Sequence, residues 1–280
     1  MAVLNNIIRL SRRKEMWSPY LRWIAARVVS RKPRIRLGND ASIGEWISFS
    51  EYFSYRSGVS ENELCFLRRV REEAGGAECV GFDVGANVGL FTCTMADAGF
   101  TRVHSFEPIP DTFVRLKKNV RYNKIHDRCI LNCQGVGSVR GLVQFAESIV
   151  SPGVNRLATP AIPFPHQIQQ VPIISLDEYC SLQEIRAIDL AKIDVEGMEE
   201  LVLRGAKELM QRRAIKKILI EISPVNQPQV GLHIDGLLAT ISELGYEPRK
   251  LLTNGSVGDR LENDYLRACY QENVVLGPRT

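Results

Sequence analysis

The feature that most restricts what this chain can fold into is residues 80–89, VGFDVGANVG, where an apolar strand runs straight into a glycine-punctuated turn. Val80 and Phe82 stand at strand spacing, and Leu90, Phe91, Thr92 and Cys93 open a segment that reads as a helix. Strand, tight turn and helix N-terminus together make a site at which backbone N–H groups face a ligand. Gly85 and Gly89 let a ligand come close to the backbone and the helix lie close to the sheet. A dinucleotide fold wants G-x-G-x-x-G, whereas here Gly85, Asn87 and Gly89 recur at every second position and position 90 is Leu. That spacing predicts a ligand without a pyrophosphate.

The next strand sharpens the choice. Residues 102–106 (RVHSF) alternate and end at Glu107-Pro108, so a carboxylate stands about 20 residues beyond the turn, as expected of an acid that holds ribose hydroxyls. Both S-adenosylmethionine and NAD carry such a ribose, and the glycine spacing selects the former. Asp83 has two readings that stay open: an acid beside the methionine ammonium, or a strand-end residue that caps the turn.

With 280 residues, 45% hydrophobic and 24% charged, the chain has the composition of a soluble α/β domain with additions. The net charge of +4 is unevenly placed: the first 36 residues hold ten Lys or Arg against one acid, Glu15, and the remainder carries −5. No nucleic-acid partner is expected. Seven cysteines, an odd number without a C-x-x-C pair, argue against a disulfide framework and a zinc site, and predict a cytoplasmic protein. No apolar run is long enough to span a membrane, and the N-terminus lacks the pattern of a signal peptide.

Residues 1–59 are expected to form a basic N-terminal extension and cap, and residues 60–280 the main domain. Within 1–36, Leu4, Ile7, Trp17, Leu21 and Ile24 lie among basic residues, and Pro19 and Pro33 break the segment into short helical pieces. The adopted reading packs these on the domain; the alternative is a peripheral contact with an anionic membrane. Residues 43–56, rich in aromatics, suit a cap over a pocket. Ser60 with Glu63 forms a capping box for a helix that carries Leu64, Leu67 and Val70 and stops at Gly75-Gly76.

Beyond Glu107, a helix is expected with Phe113, Leu116 and Val120 toward the sheet and Arg115, Lys117, Lys118 and Arg121 toward water. A third strand follows at 129–133, and the turn 135–137 is a place for an adenine. Residues 139–145 alternate as a hairpin arm. Residues 148–170 carry four of the thirteen prolines and no period, which predicts a substrate loop containing His166. A strand at 171–176 and a short helix around 177–180 come next.

The second informative stretch is 188–200, IDLAKIDVEGMEE. Leu190, Ile193 and Val195 mark a buried strand, and Asp194, Glu196, Glu199 and Glu200 cluster at its carboxyl end beside Gly197. Acids favour the first turn of a helix, but Asp194 and Glu196 precede that turn. The strand 217–222 brings Glu221 to the same edge, so Asp83, Glu107, Asp194 and Glu221 are expected to converge on one crevice. Ile234, Leu237, Leu238, Ile241 and Leu244 make a helical stripe that Gly245 ends, and the tail 270–276 closes with a strand.

FDVGANVGLFT, HSFEPIP, VPIISLDEY, KIDVEGMEELVLRGA and ILIEIS resemble the FkbM family of S-adenosylmethionine-dependent methyltransferases, over about residues 61–246. The resemblance implies a class I methyltransferase (Rossmann-like) fold, a seven-stranded sheet with helices on both faces, and O-methylation of a hydroxyl on a sugar, glycan or secondary metabolite. Carried over, Asp83, Gly85, Asn87 and Gly89 match the cofactor motif, Glu107 the ribose acid, and Asp194, Glu196 and Gly197 the second motif. A hydroxyl acceptor must lose a proton, for which Asp194 and Glu196 are the candidates and His166 the next; no metal is expected. An NAD-dependent oxidoreductase and a non-catalytic cofactor-binding protein are the alternatives. Acceptor identity and oligomeric state are not legible.

Overall fold

The computed structural model describes residues 35–36, 41–44, 59–148, 156–158 and 166–279. The expected helical pieces before residue 35 and residues 45–56 of the aromatic run 43–56 lie outside the described residues.

Five strands form the parallel part of the main sheet: β3 (Val80–Val84), β4 (Arg102–Phe106), β10 (Leu190–Ile193) and β11 (Ile218–Ile222), whose residues are mostly or wholly buried, and the half-buried edge strand β5 (Cys129–Asn132). Every residue of β10 and β11 is buried, which is why these segments read as unbroken apolar runs rather than alternating ones. Beyond β11 lie β14 (Glu272–Pro278), β12 (Tyr246–Leu251) and β13 (Val257–Arg260), giving the order β13-β12-β14-β11-β10-β3-β4-β5. Strand β14 runs antiparallel between β11 and β12.

The sheet has eight strands where seven were expected, and the extra one is the edge strand β13. Its residues VGDR are half-buried or exposed, so backbone pairing with β12 defines it and no apolar alternation announces it.

Helices cover both faces. On one, α1 (Glu61–Glu73), α2 (Leu90–Asp97) and α3 (Pro110–Tyr122) bury Phe66, Leu67, Met95 and Leu116 against Val103, Leu190, Leu219 and Val275. On the other, α4 (Leu176–Leu182), α5 (Glu199–Arg204), α6 (Lys207–Gln211), α7 (Ile234–Glu243) and α8 (Asn263–Ala268) pack on Phe82, Ile193, Ile218 and Ile220. The capping box forms as its residues predict: the Ser60 backbone N–H and hydroxyl both donate to Glu63, at 2.8 and 2.5 Å. Arg115 departs from expectation. It is 9% exposed rather than facing water, on the buried side of α3 with Leu116 and Asn119.

Short strands β1 (Ile35–Arg36) and β2 (Ser42–Ile43) pair ahead of the main sheet, and Ile43 is fully buried in the α1–α3 core. Asn119 of α3 and Asn123, which caps its C-terminus, receive this segment. Their side-chain oxygens accept from the Gly44 and Ser42 N–H groups at 2.9 and 2.8 Å, while the Asn119 amide donates to the Val88 carbonyl at 2.8 Å.

A second sheet has the order β6-β9-β7-β8, from β6 (Gly135–Val136), β7 (Gly141–Ser148), β8 (Arg156–Leu157) and β9 (His166–Ile174). The hairpin arm is therefore a sheet of its own, and residues 166–170 of the expected loop belong to β9, paired with β7 from Gly141↔Ile173 to Ser148↔His166. The stretch HQIQQ is polar and partly exposed, so backbone pairing places it without any signal in hydrophobic period. Among the described residues, no helix is long and apolar enough to cross a membrane.

Candidate active site

The chain leaves β3 for β4 and β5 on one side and returns through β10 on the other, so the topological switch lies between the carboxyl ends of β3 and β10. Open α/β sheets bind ligands at such points. Here a crevice with a cavity volume of about 150 Å³, open to solvent, is lined by Asp83, Gly85, Asn87, Phe91, Phe106, Glu107, Phe145, Lys192, Asp194 and Glu196 among others.

The glycine turn is wound tightly into its neighbours. Gly85 has φ +85°, and a Cβ there would stand 1.8 Å from the Asp194 carbonyl oxygen, so β3 and β10 approach here only because the side chain is absent. Asn87 also takes a positive φ, of 50°. Four N–H groups of the turn do not point at a ligand, contrary to the sequence expectation. Those of Gly85 and Ala86 donate to the Phe106 carbonyl at 3.1 and 2.9 Å, that of Gly89 to Ala86, and that of Asn87 to Glu107 Oε2 at 3.0 Å.

Acceptors therefore dominate this end of the crevice. Glu107 takes a second backbone bond, from Ile109 to Oε1 at 2.9 Å, and burial pushes its carboxyl up to about 7 against these two donors. Each oxygen keeps a lone pair for a hydroxyl. Asp83 accepts from Thr92 Oγ1 at 2.5 Å, and Thr92 Oγ1 is 2.8 Å from Ser105 Oγ. Burial raises Asp83 to about 6, against the Thr92 bond and the Lys192 charge.

A second sharp loop follows β10. Glu196 and Gly197 take consecutive positive φ values of 55° and 104°, and a Cβ at Gly197 would stand 2.9 Å from the Asn226 carbonyl. Glu196 Oε2 accepts from the Asn226 amide at 3.0 Å. Behind the loop, Glu199 Oε1 accepts from the Val195 and Gly197 N–H groups at 3.3 and 3.1 Å, and burial raises this carboxyl to about 7. Glu199 thus organises the loop from within the protein, beyond any role at a helix start.

Lys192 lies in the middle of β10, 1% exposed, on the face that carries Asp83, Leu190 and Leu219. Its Nζ is 3.3 Å from Asp194 Oδ2 and 5.2 Å from the centroid of the Phe91 ring. Burial alone would depress this ammonium, but Asp194, Glu221 and Glu63 together hold it above the usual lysine range. Burial and the Asp194 charge push Glu221 well above the usual carboxylate range.

A family model for the methyltransferase FkbM domain matches residues 83–248, more than half of the chain. The chain belongs to the FkbM methyltransferase family. The hexuronic acid methyltransferase AglP of Haloferax volcanii is 31% identical over 157 residues, which cover 56% of this chain and 60% of that protein. The 31-O-demethyl-FK506 methyltransferase FkbM of Streptomyces tacrolimicus is 27% identical over 221 residues, covering 69% and 82%. Among solved structures, a SAM-dependent methyltransferase from Agrobacterium tumefaciens aligns with 8% identity and a TM-score of 0.44, over 85% of this chain and 66% of that one. A likeness that loose leaves the fold description to the strand order itself.

In this FkbM-family chain the crevice gathers Asp83, Gly85, Asn87, Glu107, Asp194 and Glu196. Gly89 stands behind it with φ +94°, where a Cβ would meet Leu116 Cδ1 at 2.6 Å; its service is to let α3 close on the turn. His166 begins β9 opposite Ser148 and is not among the residues that line the crevice. Glu221 lies outside the lining, buried, and accepts from the Gln271 amide. Sequence reasoning passed over Lys192, although a lysine between Ala191 and Ile193 in a central strand has no route to solvent and needs a buried partner.

Raised carboxyl groups set a pH dependence. Asp83, Glu107 and Glu199 hold protons more tightly when folded than unfolded, so their contribution to stability is complete below about pH 4 and is lost as pH rises through about 6 to 7. Urea midpoints of the ligand-free protein should fall across that window, and Glu107→Gln should flatten the fall. A slope that Glu107→Gln leaves unchanged would show that Glu107 does not titrate there.

Proposed function

We propose that this protein is an S-adenosylmethionine-dependent O-methyltransferase acting on a hydroxyl of a sugar, glycan or secondary metabolite. The observation that carries the reading is the polarity of the crevice. The N–H groups of Gly85, Ala86, Asn87 and Gly89 are spent inside the protein, while Asp83, Glu107, Asp194 and Glu196 line the ligand space. A pyrophosphate would meet four carboxyl groups there, which disfavours NAD; a cationic ligand with a ribose finds acceptors for both. S-adenosylmethionine supplies, when bound, a methyl group on a positively charged sulfur. The protein holds the ribose hydroxyls with Glu107, offers Asp194 and Glu196 to the proton of the acceptor hydroxyl, and keeps water out with Phe91, Phe106 and Phe145. The acceptor class draws on the relatives: one is named for a hexuronic acid and the other for an O-demethyl macrocycle. A cytoplasmic setting is proposed with it, supported by seven cysteines that are all free thiols.

Calorimetry should show binding of S-adenosylmethionine and S-adenosylhomocysteine and none of NAD; tighter NAD binding would end this reading. Glu107→Ala should weaken the cofactor by about 1.5–3 kcal/mol, and an unchanged affinity would remove Glu107 from the ribose. A screen of glycan and metabolite acceptors with labelled S-adenosylmethionine, read by mass, tests the transfer itself.

A further inference from the structure

A lysine that is 1% exposed in the middle of a central strand is costly unless its charge is used. Lys192 lines the crevice, and the only acid with which it forms an ion pair among the described residues is Asp194. Asp194 is the more exposed partner, with 34% of its side chain accessible, and its backbone lies against Gly85 of the cofactor turn. On the buried side, Glu63 and Glu221 act on the same ammonium. Both are anchored elsewhere. Glu63 caps α1 through Ser60 and accepts from the Asn273 amide at 2.9 Å, and Glu221 accepts from Gln271. The ammonium thus feels two acids committed to the scaffold and makes its ion pair with Asp194, while the Phe91 ring lies 5.2 Å from it.

We propose that Lys192 is a positioning residue of the methyl-transfer site, a built-in cation that fixes the Asp194 carboxylate at the crevice and offsets part of its charge. The proposal rests on the cofactor reading above. It gives the site two properties. The acid that receives the acceptor's proton keeps one orientation, and the oxygen that loses the proton develops its negative charge near an ammonium rather than near carboxylates alone. A site so arranged also holds a cationic ligand less tightly than its count of acids suggests, which eases exchange of the charged cofactor for its neutral product.

The test compares two ligands of similar shape and different charge: S-adenosylhomocysteine, and sinefungin, which carries an amine-bearing carbon where the cofactor has its methylated sulfur. Calorimetry on the full chain gives the ratio of the two affinities. Lys192→Met should raise the preference for sinefungin at least about tenfold, since removing one charge a few ångströms away leaves Asp194 uncompensated. In Lys192→Met with Asp194→Asn that gain should disappear. Because Lys192→Met strands buried acids, Lys192→Met with Glu221→Gln, which also removes one carboxylate, is measured beside it and should show the same gain. A purely structural role would weaken both ligands together and leave the ratio unmoved. An unchanged ratio in a variant that still binds S-adenosylhomocysteine overturns the proposal, as does loss of both ligands from both lysine variants, or a gain that persists without the Asp194 charge. Failure of the unaltered protein to bind either ligand would instead overturn the cofactor reading on which this one stands.

Discussion

Replacing Gly85 with alanine should destabilise the protein by about 3 kcal/mol or more and abolish measurable cofactor binding. Two costs act together. The residue has φ +85°, which an L side chain rarely adopts, and its Cβ would overlap the Asp194 carbonyl oxygen at 1.8 Å. Relief requires β3 and β10 to part at the point where the crevice forms, or the Gly85 and Ala86 N–H groups to leave the Phe106 carbonyl. Gly75 is the control. It has a positive φ of 58° but nothing within 4 Å of its Cβ position, so Gly75→Ala carries the backbone strain alone and should cost about 1 kcal/mol. Urea midpoints of the two variants, with calorimetry against S-adenosylhomocysteine, decide the matter. Equal midpoints would mean that the close approach of the two strands contributes nothing.

The second large effect is expected at Asp194. Once an acceptor is identified, Asp194→Asn should lower kcat about 100-fold or more while changing affinity for the neutral product S-adenosylhomocysteine little, because an amide of the same shape accepts no proton. Glu196→Gln should act in the same direction. Glu196 already accepts from the Asn226 amide and is held in a left-handed turn, so part of its effect should be on loop geometry. Turnover should survive a chelator. Asp194 is paired with an ammonium at 3.3 Å, and a divalent cation at the same carboxylate would be repelled by that charge. If chelation stops turnover and magnesium restores it, these carboxylates are metal ligands and the assignment as proton acceptors is wrong.

Both predictions depend on residues that sequence periodicity and geometry reveal to different degrees. The strand-turn-helix at 80–97, the acid ending β4, the buried β10 and β11 and the stripe of α7 are each written in local pattern: unbroken apolar runs where both faces are covered, glycines where φ is positive, an i, i+3, i+4 stripe where one face is. Strand β13 and the first half of β9 carry no such pattern, because exposed or polar strands are held by backbone pairing that any side chain permits. The same holds for Arg115, whose burial follows from how α3 lies on the sheet and not from the character of arginine.

For the site, the sequence by itself determined which residue types stand at the carboxyl ends of the strands and which ligand the glycine spacing excludes. Only the tertiary structure decided what those residues do. The N–H groups of Gly85, Ala86 and Asn87 are consumed by Phe106 and Glu107, Gly89 serves helix packing, His166 begins a strand of the side sheet and is not in the crevice lining, and Lys192 enters the site from inside the sheet. The physical reason is range. Backbone conformation and hydrophobic period are set over a few neighbouring residues, whereas a carboxyl raised by burial or an ammonium held by three acids depends on groups from elements far apart in the chain.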